Sequence, residues 1–138
     1  MSESRLKGRR VAVGVCGGIA AYKAIDCVRL LTEAGAEVRV LMTPEATRFV
    51  TPLTFEALSY NPVAANWLMP QGGGESHIKL AEWADVIAIV PATANTMAKL
   101  ALGFADEIVS GTVLASRASL VIAPAMNDVM LTQQPTQD

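Results

Sequence analysis

Two cysteines, one histidine and 5% aromatic residues are all that this 138-residue chain holds of those types. Cys16 and Cys27 form no CxxC pair and no zinc-ligand spacing, so both read as reduced thiols and no metal is expected. The longest apolar runs are only strand length, which excludes a transmembrane helix. The first ten residues are charged and have no apolar signal core behind them, so a cytoplasmic protein is expected. Charged residues make up 17% and the net charge is −2, with the basic ones scattered. That pattern favours neither a nucleic acid nor an anionic membrane as partner. There is no internal repeat and no low-complexity tract.

What the chain does have is apolar content, 51% by count, with a mean hydropathy of +0.35. This is high for a small monomer and points to apolar surface facing other subunits. Residues 1–138 read as a single domain, long enough to bury roughly two-thirds of its unfolded surface. Val11-Ala-Val-Gly-Val15 is a continuous apolar run, as expected for a strand buried on both faces. After Gly17-Gly18, a helix carries Ala21, Ile25, Val28 and Leu31 on one stripe and ends at Gly35. Glu37–Met42 is a second strand, and Thr43-Pro44 and Thr51-Pro52 each carry a helix-start signature. A short strand is expected around Val63, and Pro70-Gln-Gly-Gly-Gly74 is the one flexible stretch. A helix from His77 to Trp83 leads into the strand Asp85–Val90, and a second strand-then-turn unit runs from Leu120 to Asn127. Asp106 is expected to cap a helix through Ile108, Val109, Val113 and Leu114. Strands alternate with helices, so the fold class is α/β: a doubly wound, Rossmann- or flavodoxin-like, mostly parallel sheet with helices on both faces.

Three places carry candidate chemistry. Pro91-Ala-Thr93-Ala-Asn95-Thr96 joins the end of a buried strand to a helix start, where Asn95 and Thr96 can cap and still reach a ligand. Gly17-Gly18 follows the first strand and is either a tight turn or a place where backbone approaches a phosphate. The dinucleotide fingerprint GxGxxG is absent, and Met42-Thr43 stands where a ribose-binding acid would end the second strand. Both facts argue against NAD and for a mononucleotide such as FMN. His77 is either a surface residue or a proton-transfer group near neutral pH. Asn127 is either a helix cap or an amide for a substrate carboxylate. Met126 and Met130 read as packing residues, and Trp67 and Trp83 are open between core and cofactor contact.

Taken together and in order, Gly17-Gly18-Ile-Ala-Ala-Tyr-Lys23, Pro91–Thr96 and Pro124-Ala-Met-Asn127-Asp-Val-Met130 resemble the motifs of the flavin-dependent cysteine decarboxylases. His77 lies where that family has its catalytic histidine. The resemblance runs from about residue 8 to the end. It implies an FMN-binding domain and oxidative decarboxylation of a small-molecule thiol, 4′-phosphopantothenoylcysteine, on the route to coenzyme A. It implies that Gly17, Gly18, Ile19, Thr43, Thr93, Asn95 and Thr96 hold FMN. His77 and Asn127 would be catalytic, with Met126 beside Asn127 on the substrate. It further implies a site built between subunits of a trimer, or of a dodecamer made of trimers. The chain departs from the pattern at Leu131, where the family usually has an aromatic residue. It also ends at Asp138, ahead of a cysteine-bearing segment that closes over the substrate in relatives, so a domain truncated at its C-terminus, capable of a half reaction, is expected. The rival readings are a peptidyl-cysteine decarboxylase, a flavin prenyltransferase and a non-catalytic FMN-binding regulatory protein.

Overall fold

The structure, a computed structural model, describes residues 5–65 and 76–125. Among these residues four parallel strands form one sheet: β1 (Arg10–Val15), β2 (Glu37–Met42), β3 (Val86–Ala92) and β4 (Ser119–Pro124). Their order is β2-β1-β3-β4. Five helices join them: α1 (Lys23–Glu33), led in by a 3₁₀ turn at Ile19–Tyr22, α2 (Pro52–Ser59), α3 (Ser76–Trp83), α4 (Ala94–Leu102) and α5 (Ile108–Ala115). This is the expected doubly wound α/β sheet.

Side chains alternate across a strand, and β1 uses both faces. Val11, Val13 and Val15 pack on one side with Ala24 and Val28 of α1 and Phe55 of α2. Ala12 and Cys16 pack on the other with Leu80 of α3, Ile87 and Ile89 of β3, and Ile108 and Val109 of α5. That two-sided burial explains the unbroken apolar run at 11–15. At Gly14 a Cβ would stand 2.9 Å from Ile89 Cδ1 and 3.0 Å from Val109 Cγ1. Glycine there lets β3 and α5 close in on β1.

The ladders fix where each strand ends. Val15 is level with Met42 of β2, and Gly14 is level with Ile89 of β3. The β3–β4 register shifts between Ile89 and Ala92, around Pro91, which has no N–H to give a ladder.

Several local expectations need correction. The strand foreseen near Val63 is a single bridge between Leu41 and Ala64. Thr43-Pro44 opens only the 3₁₀ turn Ala46–Arg48, with Thr43 Oγ1 accepting from Ala46 N at 3.2 Å. The cap of α5 is Glu107, whose carboxylate accepts from Val109 N at 2.7 Å. Asp106 instead pairs with Lys99 of α4 at 3.1 Å. Trp83 packs in the core, with the Arg39 guanidinium 5.4 Å above its ring.

Candidate functional site

From β1 the chain goes to β2 on one side, then returns past β1 to β3 on the other. The strand order therefore reverses between β1 and β3, and a crevice forms beyond their carboxyl ends, the usual ligand position in such sheets. A cavity of about 470 Å³ opens there, within the ~300–1,000 Å³ typical of small-molecule sites. Its lining comes from two turns. Gly18, Ile19, Ala20, Tyr22 and Lys23 follow β1, while Pro91 and Thr93 end β3, and Ala125 adds the position after β4.

The β1 turn is made by two glycines with different reasons to be glycine. A Cβ on Gly17 would lie 2.5 Å from Glu45 Cβ and 2.9 Å from its carbonyl carbon. The turn after β2 thus packs directly on the Gly17 backbone. A Cβ on Gly18 would meet only Thr93 Cγ2, at 3.8 Å. Its missing side chain leaves the backbone open toward the cavity. The helical segment beginning at Ile19 then points its N-terminal end at the same space, an arrangement that favours an anion. Ile19 is 84% exposed and Tyr22 is also exposed, both large apolar side chains at the mouth.

The β3 turn is tied down by hydroxyls. Thr93 is the N-cap of α4, its Oγ1 accepting from Thr96 N at 3.2 Å. The same hydroxyl donates to Thr96 Oγ1, also at 3.2 Å. The cap is therefore Thr93, not Asn95 or Thr96 as foreseen. Thr96 is buried beneath the turn, and Asn95 is exposed on the first turn of α4. Cys16, fully buried at the end of β1, lies against both. Burial pushes its thiol up from the ordinary value, while the Thr96 hydroxyl and the Thr93 backbone work in the other direction. Cys16 thus stays a protonated thiol at neutral pH.

The structure brings together only part of the expected set. Gly18, Ile19 and Thr93 line the cavity; Gly17 lies just behind it. Thr43 is buried at the end of β2, its N–H bonded to Val15 O at 3.0 Å. His77 belongs to the first turn of α3. That helix feeds β3 from the amino edge, so its own start faces the carboxyl edge where the cavity lies. Met126, Asn127 and Trp67 lie outside the described residues, as does the Gly-rich stretch at 70–74. Sequence reasoning missed Ala20, Tyr22 and Lys23 as wall residues. The available signal was their place on the first helical turns after a glycine pair.

Chemically, the cavity offers apolar walls, one hydroxyl, one ammonium group and no acidic side chain. It suits a flat, largely apolar molecule carrying an anionic arm.

A family model described as Flavoprotein matches residues 1–138. The chain is 49% identical over 134 residues to the coenzyme A biosynthesis bifunctional protein CoaBC of Haemophilus influenzae, covering 96% of this chain and 34% of the relative. It is 44% identical over 133 residues to the protein of that name from Escherichia coli, covering 96% and 33%. The chain thus spans about a third of the length of these curated relatives. Among solved structures, the FMN-dependent cysteine decarboxylase SpaF superposes with a TM-score of 0.88 at 38% identity, covering 96% of this chain and 77% of that one. A mutant PPC decarboxylase complexed with pantothenoylaminoethenethiol superposes with a TM-score of 0.79 at 31% identity, covering 94% and 73%.

Proposed function

The chain belongs to the flavoprotein family, and on that premise we propose that it binds FMN and decarboxylates the cysteine of 4′-phosphopantothenoylcysteine, the step toward 4′-phosphopantetheine in coenzyme A biosynthesis. The observation that carries this reading is the cavity at the strand-order reversal. It has apolar walls for a flat ring system and a helix start with an open glycine for a phosphate. It has no acidic side chain that would select a dinucleotide's ribose. The identities to the coenzyme A biosynthesis proteins and to the PPC decarboxylase structure support the choice of substrate.

Gly17, Gly18, Ile19, Thr43, Thr93, Asn95 and Thr96 are assigned to FMN. FMN, when bound, supplies the two-electron oxidation of the thiol that lets the adjacent carbon accept the electrons released with CO₂. His77 is assigned the proton of the substrate thiol, which must leave as the sulfur is oxidised. The Asn127 amide donates to the carboxylate that departs, and Met126 packs beside it. Lack of a second carboxylate at the amide's position matters, since like charges would repel the substrate. The exposed Ile19, Tyr22, Phe49 and Leu53 support burial between copies of the chain. A homotrimer or a dodecamer of trimers is accordingly proposed, in the cytoplasm; among the described residues no helix is long and apolar enough to cross a membrane.

The test is to incubate purified protein with FMN and either 4′-phosphopantothenoylcysteine or a peptide ending in cysteine, and to measure CO₂. Release from the first substrate alone is expected. Release from the peptide alone would move the reading to a peptidyl-cysteine decarboxylase, and no flavin uptake would remove it. His77→Asn is expected to keep FMN and lose thiol oxidation, read as failure of the flavin to bleach with substrate. Light scattering decides the trimer.

A further inference from the structure

The cavity contains one charged side chain that the assignment above leaves unused. Lys23 is the first residue of α1 and lines the cavity beside Gly18 and Thr93. Among the described residues it makes no ion pair and no hydrogen bond, whereas Arg29, further along the same helix, is paired with Asp26 at 3.4 Å and with Glu33 at 3.1 Å. A cation at a helix start also opposes the helix dipole, which favours anions there. No carboxylate lines the cavity to compensate it. An exposed, unpaired lysine held at the positive end of a helix, over a cavity, is an arrangement that an incoming anion stabilises on both counts. It would neutralise the ammonium group and meet the helix N–H groups.

We propose that Lys23 is the phosphate-monoester-binding residue of this cavity. The inference rests on the flavin reading and deepens it. A phosphate monoester carries close to two negative charges at neutral pH, and a lysine meets it as a mobile point charge. Two molecules in the proposed reaction carry that group: the cofactor and the thiol substrate. Lys23 can reach a phosphate from the rim, because its flexible four-carbon stem starts at the cavity wall.

The experiment is a set of titrations on the wild-type chain, Lys23→Gln and Lys23→Arg. FMN and riboflavin are titrated by quenching of flavin fluorescence. 4′-Phosphopantothenoylcysteine and its dephosphorylated counterpart are then compared by their KM values on the FMN-loaded proteins. If Lys23 meets the cofactor, Lys23→Gln binds FMN about tenfold more weakly or worse, as loss of a charge-assisted bond predicts. Riboflavin binding stays unchanged in that case, and Lys23→Arg recovers most of the FMN affinity. If Lys23 meets the substrate, FMN affinity stays at the wild-type value. KM then rises for the phosphorylated thiol alone, with kcat held. Either pattern supports the proposal and identifies the phosphate. Lys23→Gln that discriminates neither FMN from riboflavin nor the two thiols, beside a wild type that binds FMN, overturns it while leaving the flavin reading intact. A wild type that takes up no flavin overturns both.

Discussion

The two turns that wall the cavity reach the same end by opposite means. The turn after β1 uses absence: Gly17 and Gly18 remove side chains so that backbone can approach backbone, or a ligand. The turn after β3 uses presence: Thr93 and Thr96 supply hydroxyls that hold α4 in place. The first is a steric device, sensitive to any added atom. The second is a hydrogen-bonding device, sensitive to lost oxygen atoms and tolerant of a change that keeps them. Within the glycine pair there is a further division. Gly17 serves packing, because Glu45 occupies the space a Cβ would need. Gly18 serves the cavity, because that space is free.

The sharpest way to break this comparison is Gly17→Ala. Its Cβ would lie 2.5 Å from Glu45 Cβ and 2.9 Å from backbone, so a main-chain segment must move. A loss of about 1–3 kcal/mol is expected from such overpacking. Chemical denaturation measures it, with an unchanged m-value. A midpoint equal to wild type would mean that the turn after β2 is not packed on Gly17.

Next in size is Thr93→Ala. It removes the cap of α4, and N-cap losses are about 1 kcal/mol. Thr93→Ser keeps the oxygen and is expected to recover most of that loss. Failure of serine to rescue would show that the methyl group, not the hydroxyl, holds this wall. Flavin affinity should follow the same order, since Thr93 lines the cavity.

These two walls also show what could be read in advance. The apolar runs at 11–15 and 86–90 announced strands because both are covered on two faces. The glycine pair and the Pro91–Thr96 stretch announced turns at strand ends, and both proved to flank the cavity. Choosing the capping residue was harder. Thr93, Asn95 and Thr96 are all good caps in isolation. The choice depends on where β3 stops, and that is set by pairing with β1 and β4 through Ala92. The same holds for Asp106 and Glu107, adjacent acids of which only one points back at α5. The reason for Gly17 lies in Glu45, on a different turn, and no local pattern reveals it. Lys23 looked like part of a polar helix face, and only the fold puts it over the cavity.

Gly18→Ala sharpens the division inside the glycine pair. The added methyl meets Thr93 Cγ2 at an ordinary contact distance of 3.8 Å. Gly18 is in an extended conformation that alanine also adopts, φ 171° and ψ 167°. Stability is therefore expected to stay within about 0.5 kcal/mol of wild type. Flavin affinity should nonetheless fall, because the methyl occupies the face that opens to the ligand. Denaturation and FMN titration on one sample separate the two effects. A destabilised variant with normal FMN binding would reverse the roles given to Gly17 and Gly18.

The smallest effect belongs to the opposite ends of these same strands. At the amino edge, the Asp85 carboxylate ahead of β3 accepts from Arg10 N at 3.0 Å and from Arg10 Nη2 at 3.2 Å. This ties the starts of β1 and β3 together where no ligand is expected. Hydrogen bonds from the Arg10 side chain and then its backbone hold the Asp85 carboxyl below the usual carboxylate range. A carboxyl whose folded-state value is depressed adds stability above its unfolded value. That stability is lost as pH falls through the folded one. Asp85→Asn should therefore lower the denaturation midpoint slightly at neutral pH. The difference from wild type should shrink in acid, and added salt should shrink it too, because the pair is solvent-exposed. FMN affinity should not change at any pH where both proteins are folded. A gap that widened toward acid pH would mean that the charge of Asp85 opposes folding. Weaker FMN binding in Asp85→Asn would show that the two ends of the strands are coupled, so that the walls of the cavity could not be treated as local devices.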